Sequence, residues 1–376
     1  MILMDVKLHN IYAFKNFHAN FSYPKKIVNT TIESEYLNDF SNFRYKKVNI
    51  LMGTNASGKT TFGKAILALF NFIQRNNPTL LVNAANLKQG SAIVECDFVE
   101  EDNNGNQRLF RVKLKIENYE DPVILSSMNS VEIKKRDNYE ICAKKLDKMD
   151  YEFTKDSVTL FDKISQIGWY FSDTDSRAQD EVNKKGDKVF INVLNLVMQT
   201  FDTFITDVKQ IEDDTDSILI KFNNGESVIY HEGKVVGQKD ILSKGTDSSI
   251  AIAEIITNVM LERNGFYYCD EKFCFVQSDL EKSILSLLIE LLGKDQQLFF
   301  TTHNTDILDL NLPKHTYSFF KKNAYNLEQP IEMIYASNYL KKQEDSLRNA
   351  VENDLFSIAP NDTKIFKILD MVESKE

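Results

Sequence analysis

The residues best placed to do chemistry begin with the run Gly53-Thr54-Asn55-Ala56-Ser57-Gly58-Lys59-Thr60, which fits the phosphate-loop pattern G-x-x-x-x-G-K-[ST]. Its glycines let backbone N–H groups turn inward around a phosphate, and the helix expected behind it aims its positive end at the same charge. The nucleotide-binding candidates are Gly53, Asn55, Ala56, Ser57, Gly58, Lys59, Thr60 and Thr61. Among them Lys59 would reach the β- and γ-phosphates, and the Thr60 hydroxyl would ligate Mg²⁺. Downstream, the apolar run Phe266-Tyr267-Tyr268-Cys269 ends in Asp270-Glu271. Asp270 there can hold Mg²⁺ beside Thr60, and Glu271, pointing to the other side, can polarise an attacking water. A second apolar run, Leu298-Phe299-Phe300, ends in Thr301-Thr302-His303. An imidazole at a strand's C-terminal end can hydrogen-bond a γ-phosphate or that water. Ser243-Lys244-Gly245 precedes a helical run and offers another anion-binding helix end, although the same residues also read as an ordinary cap.

These residues need elements to hold them. Val48-Asn49-Ile50-Leu51-Met52 reads as a buried strand into the phosphate loop, and residues 61–74 as the helix behind it. From residue 240 the pattern alternates: helix 248–263, strand 266–269, helix 280–292, strand 297–301. Such alternation implies a parallel sheet between helices. Residues 3–12 predict a first strand, with 9–17 running into a hairpin partner, and 22–45 an insertion or extended hairpin. Residues 92–99 and 107–116 predict an antiparallel hairpin around Asp102-Asn103-Asn104-Gly105-Asn106. In the middle, 130–142 reads as short strands. Phe190, Val193, Leu194, Val197, Met198, Phe201 and Ile205 follow a helical period, with no sustained heptad. Strands 217–222 and 227–231 flank the Asn223-Asn224-Gly225 turn.

The bulk properties narrow the classes. With 376 residues, 43% hydrophobic and 27% charged, the chain predicts an ordinary soluble protein with two to three domains' worth of mass. A net charge of −10 argues against a surface built mainly to clamp DNA phosphates, though a local basic patch stays open. Cys96, Cys142, Cys269 and Cys274 lack C-x-x-C pairing and predict reduced thiols in a cytoplasmic protein. No signal-peptide pattern opens the chain, and no window approaches the ~20 apolar residues of a membrane span.

Phosphate loop, Leu242-Ser243-Lys244-Gly245-Thr246, strand with Asp270-Glu271 and strand with Thr301-Thr302-His303 occur in the order of the ABC-type ATPase head, which the chain resembles. That head also occurs in structural-maintenance-of-chromosomes (SMC) proteins, recombination-mediator ATPases and overcoming-lysogenization-defect nucleases. A closer resemblance is to small prokaryotic ATP-binding proteins of the abortive-infection type. Thr301-Thr302-His303-Asn304-Thr305-Asp306-Ile307-Leu308-Asp309 is similar to their TTH(D/N)T-x-L-L-D segment. Asp345-Ser346-Leu347-Arg348 through Asp354-Leu355-Phe356-Ser357-Ile358-Ala359-Pro360 resembles their ending. The resemblance covers about the first 100 residues and those after 240. It implies an α/β fold, an ABC-type phosphate-loop head with a mixed sheet flanked by helices, an antiparallel β subdomain and a helical insertion. Its segments would be an N-terminal lobe 1–118, an inserted helical/β lid 119–239 and a C-terminal lobe 240–376. It further implies Gln89 as a lid-loop glutamine toward Mg²⁺ and the water.

The resemblance also implies a homodimer, or a higher homo-oligomer, with ATP between one protomer's phosphate loop and the other's Ser243-Lys244-Gly245. Lys244 stands where transporters carry glycine and would bring a cation near the partner's γ-phosphate; Val276-Gln277 departs from the usual Leu-His or Leu-Asp. No Asp-x-Asp follows His303, which predicts no nuclease within this segment; a separate effector protein, a nuclease or toxin, is what the resemblance implies. Three functions stay open: an ATP-hydrolysing switch in antiviral defence or toxin control, a DNA-repair or chromosome-maintenance ATPase clamping DNA, and a scaffold that binds ATP without turnover.

Overall fold

The computed structural model describes residues 1–27, 30–164, 167–172, 188–211, 214–231, 234–236, 244–273, 276–342, 345–358, 365, 366 and 368. The chain opens with β1 (Ile2–His9), β2 (Phe17–Asn20), β3 (Tyr36–Leu37), β4 (Phe40–Arg44) and β5 (Val48–Met52). Next come α1 (Lys59–Arg75), α2 (Thr79–Ala84), β6 (Ala92–Glu101), β7 (Gln107–Glu117) and β8 (Val123–Glu132). The middle holds α3 (Tyr139–Leu146), α4 (Ser157–Phe161), β9 (Trp169–Ser172), α5 (Lys188–Phe201), β10 (Ile205–Ile211), β11 (Asp214–Phe222), β12 (Ser227–His231) and β13 (Lys234–Val236). The last part is α6 (Lys244–Met260), β14 (Phe266–Asp270), α7 (Ser278–Leu291), β15 (Gln297–Thr301), β16 (Tyr317–Lys322), β17 (Ile331–Tyr335), α8 (Ala336–Tyr339) and α9 (Leu347–Glu352).

A six-stranded sheet ordered β17-β16-β5-β15-β14-β9 forms the centre. All neighbours in it run parallel except β16 and β17, which are antiparallel. Strands β5, β14 and β15 are buried at every residue, as sheets covered on both faces require. Because side chains alternate across a strand, each contributes to two cores. Leu51, Phe266, Tyr268 and Phe299 face α1, while Val48, Ile50, Tyr267, Leu298 and Phe300 face the apolar sides of α6 and α7. Helix α1 is buried over most of its circumference because its far side meets a five-stranded antiparallel sheet, β2-β1-β6-β7-β8.

The middle segment is shared out. Strand β8 extends the five-stranded sheet and β9 pairs with β14 at the edge of the central one. Strands β10 to β13 form their own antiparallel sheet, on which α5 packs together with Ala253 of α6. Two expectations are corrected. Residues 139–142, the end of the stretch 130–142 read as short strands, instead open α3, because the Asn138 side chain accepts from the Ile141 N–H and caps a helix. Ile205, read in phase with a helix, starts β10 after α5 stops at Phe201.

One glycine in α1 answers to the ring opposite it. A Cβ on Gly63 would lie 2.5 Å from Tyr268 Cε1. That ring is stacked with Phe171 and Phe299, and its hydroxyl donates to the Lys59 carbonyl at 2.7 Å. Alanine in a helix interior normally stabilises by about 0.5–1 kcal/mol over glycine. Here overpacking, at about 1–3 kcal/mol, is the larger effect. Gly63→Ala is therefore expected to lower the melting temperature; an equal or higher one would mean the ring gives way freely.

Candidate nucleotide site

The parallel sheet brings the motifs together. Strand β15 lies between β5 and β14, with Thr301 level with Leu51 on one side and Asp270 on the other. The phosphate loop, the Asp270-Glu271 pair and the Thr301-Thr302-His303 segment therefore leave the sheet at one edge, the C-terminal edge where open α/β sheets bind ligands.

The loop takes conformations its residues were suited to. Gly53 has φ 150° and Gly58 φ 115°. A Cβ on Gly53 would sit 2.7 Å from the Phe320 carbonyl oxygen and 2.8 Å from Ser57 Oγ, so no side chain fits there. Lys59 opens α1 and is buried. Its Nζ donates to the carbonyls of Gly53 (3.1 Å) and Thr54 (3.3 Å) and reaches Glu271 Oε1 at 3.3 Å and His303 Nε2 at 3.2 Å. Burial lowers the Lys59 pKa, and Glu271 and then Asp270 pull the other way. Glu271 Oε1 lies 2.7 Å from the same His303 Nε2. A carboxylate can only accept, so that contact needs an Nε2–H, which then cannot accept from Lys59. The two contacts of Nε2 are alternatives.

Asp270 is buried at the end of β14, and its Oδ1 accepts from the Thr301 hydroxyl at 2.7 Å. The next residue turns sharply. Glu271 has φ 47°, in the left-handed region, and its N–H donates to Thr301 Oγ1 at 2.9 Å. This turn sends Glu271 to meet Lys59 and His303.

Behind His303, the Thr302 hydroxyl donates to Glu281 Oε1 at 2.6 Å and Asn304 Nδ2 donates to Glu281 Oε2 at 2.8 Å. Burial raises the pKa of Glu281, with the Thr302 and Asn304 bonds opposing it. Asp306 and Asp309 accept from Arg348 of α9, which ties the C-terminal helix to this segment. A cavity of about 320 Å³ opens here, lined by Glu271, Ser278, Glu281, Thr302, His303 and Asn304.

The structure thus gathers Lys59, Asp270, Glu271 and His303, while Thr60 and Thr61 follow Lys59 on the first turn of α1. Asn55 and Ala56 are exposed at the loop's tip and Ser57 is buried beneath it. Gln89 ends an exposed 3₁₀ turn and lines another cavity with Asn10, Tyr12, Phe14 and Lys15. Ser243 lies outside the described residues, and Lys244 and Gly245 begin α6. Sequence reasoning did not single out Tyr268, Thr301 or Glu281. The first two lie inside runs it had already marked, whereas Glu281 resembles any acidic residue in a helix's first turn.

The fold has solved counterparts. An SMC head domain with an extended coiled coil bound to the C-terminal domain of ScpA, from Pyrococcus furiosus, is similar over 90% of this chain and 98% of that one, at 11% identity and a TM-score of 0.53. An SMC head bound to the C-terminal winged-helix domain of ScpA is similar over 90% of this chain and all of that one, at 13% identity and a TM-score of 0.52. A third, the SMC head domain with a coiled coil and joint from Pyrococcus yayanosii, gives 94% and 99%, 9% and 0.51. These likenesses establish an α/β fold of the SMC-head type. No protein-family profile matches the sequence. No curated protein matches it. Among the described residues no helix is long and apolar enough to cross a membrane.

Proposed function

We propose that this protein is an ATP-binding and ATP-hydrolysing switch that dimerises around ATP and controls a separate effector, in antiviral defence or toxin control. The observation that carries the enzymatic part is the convergence of Lys59, Asp270, Glu271 and His303 at the end of three adjacent parallel strands. The loop glycines leave backbone N–H groups for the phosphates, and Lys59 exchanges its Glu271 contact for the terminal phosphates. Release from Lys59 frees Glu271 to accept a proton from water, with His303 next to both. Thr60 and Asp270 supply hard oxygen donors that suit Mg²⁺. Mg²⁺ is usually held by one or two protein oxygens together with substrate phosphates and water, so the nucleotide's phosphates would complete the shell. Bound Mg²⁺ would neutralise charge on the β- and γ-phosphates. ATP hydrolysis that requires Lys59 and Glu271, measured on the purified chain, tests this reading.

The defence role rests on the likeness of residues 301–309 to the TTH(D/N)T-x-L-L-D segment, and the implied effector is a nuclease or toxin. The SMC-type fold favours a second reading, a chromosome-maintenance or repair ATPase that engages DNA; the net charge of −10 weighs against it. Stimulation of hydrolysis by duplex DNA would favour this second reading. Co-purification of a nuclease or toxin would favour the first.

The dimer has its own test. If Ser243 and Gly245 complete the partner's site, Ser243→Arg retains nucleotide binding in the monomer and blocks ATP-driven dimerisation and hydrolysis. Mixing Ser243→Arg with Lys59→Ala protomers then restores one intact composite site per heterodimer and partial activity. Two folded, associating variants that show no rescue would mean the site is built within one chain.

A further inference from the structure

Thr301 touches both acidic residues of the site at once. Its hydroxyl has one proton to give and lone pairs to accept with, and the partners fix which does which. The Asp270 carboxylate oxygen accepts from it at 2.7 Å, and the Glu271 N–H donates to it at 2.9 Å. The residue is buried in β15, directly across the parallel ladder from Asp270. Backbone ladder bonds hold both strands, so the hydroxyl is fixed in relation to each carboxylate.

Glu271 needs such a hold. A non-glycine residue in the left-handed region costs on the order of 1 kcal/mol or more and persists only where its surroundings enforce it. Its φ of 47° breaks the alternation that would have carried the side chain away across the sheet. The same turn leaves Oε1 at 2.7 Å from His303 Nε2 and 3.3 Å from Lys59 Nζ. The hydrogen bond to the Glu271 N–H acts at the residue where the strand ends and the turn begins.

We propose that Thr301 is a positioning residue for hydrolysis: its hydroxyl sets the separation between Asp270 and Glu271 and pins the turn that presents Glu271 to the reacting water. This rests on the ATPase reading above. Threonine and valine share a branched shape, so valine keeps the strand propensity and replaces the hydroxyl with a methyl that can neither donate to Asp270 nor accept from the Glu271 N–H. Serine keeps the hydroxyl and loses a methyl.

The test uses the full chain, with kcat and KM for ATP, calorimetric affinity for a non-hydrolysable ATP analogue, and melting temperature for each variant. Thr301→Val is expected to lower kcat by about a hundredfold, the scale of a displaced catalytic group. Its affinity for the analogue should stay near wild type, and Thr301→Ser should recover most of kcat. Wild-type kcat in Thr301→Val overturns the proposal, as does a Thr301→Ser variant as slow as Val, which would make the role one of packing. Should Thr301→Val fail to fold, Thr301→Ala against Thr301→Ser makes the same comparison with smaller side chains. Turnover that depends on Glu271 but not on Thr301 overturns only this proposal. A wild-type protein without Lys59- and Glu271-dependent turnover overturns the ATPase reading and takes this proposal with it.

Discussion

Lys59→Ala is expected to abolish tight ATP binding. The ammonium would make charge-assisted hydrogen bonds to the terminal phosphates, each contributing about 1.5–3 kcal/mol. At 1.4 kcal/mol per tenfold, two such bonds correspond to roughly a hundredfold or more in affinity. Lys59 also bonds the Gly53 and Thr54 carbonyls, so its removal loosens the loop itself. Lys59→Met loses the same hydrogen bonds but keeps the apolar stem, and so separates the ammonium's contribution from the stem's packing. A titration with ATP that gives wild-type affinity in both variants would remove the nucleotide assignment. A low melting temperature in Lys59→Ala alone would instead mark the stem's packing.

Glu271→Gln is expected to keep ATP binding and lose most hydrolysis. The amide matches the carboxylate in size but cannot take a proton, and a general base typically contributes about 10²–10⁴-fold. The change also removes the Glu271–Lys59 ion pair at 3.3 Å, which ATP must otherwise displace. Affinity should therefore be equal to wild type or higher, and an ATP-bound dimer should accumulate. Steady-state turnover and size-exclusion chromatography with ATP check both parts. Turnover at the wild-type rate would move the base to another group, with His303, 2.7 Å from Glu271, the first alternative.

Much of the candidate site was legible in the chain because its motifs are local. A phosphate loop needs glycines at fixed spacing, and Gly53 and Gly58 take the positive φ that the pattern implied. Runs as apolar as 266–269 and 298–300 belong to strands buried on both faces, and both are. The helices around 248–263 and 280–292 were found for the same reason, as apolar periods between turn signals. The middle was harder. Residues 139–146 are too short for a period to separate helix from strand, and the Asn138 cap decides it. Strand β8 joins the five-stranded sheet through its neighbour β7, whereas β9 pairs with β14, a partner far along the chain that no local pattern records.

The amino-acid sequence by itself determined the candidate phosphate loop, the carboxylates and histidine that end apolar runs, and the alternation that demands a parallel sheet. These follow from backbone sterics and from side-chain periods of a few residues. Only the tertiary structure decided that β15 lies between β5 and β14, which brings His303 to Lys59 and Glu271. It alone gave Thr301 its hold on Asp270 and Glu271 and placed Tyr268 against Gly63. Strand order and register are set by packing two apolar faces against helices on either side, an energy summed over residues hundreds of positions apart, so no local spacing records it.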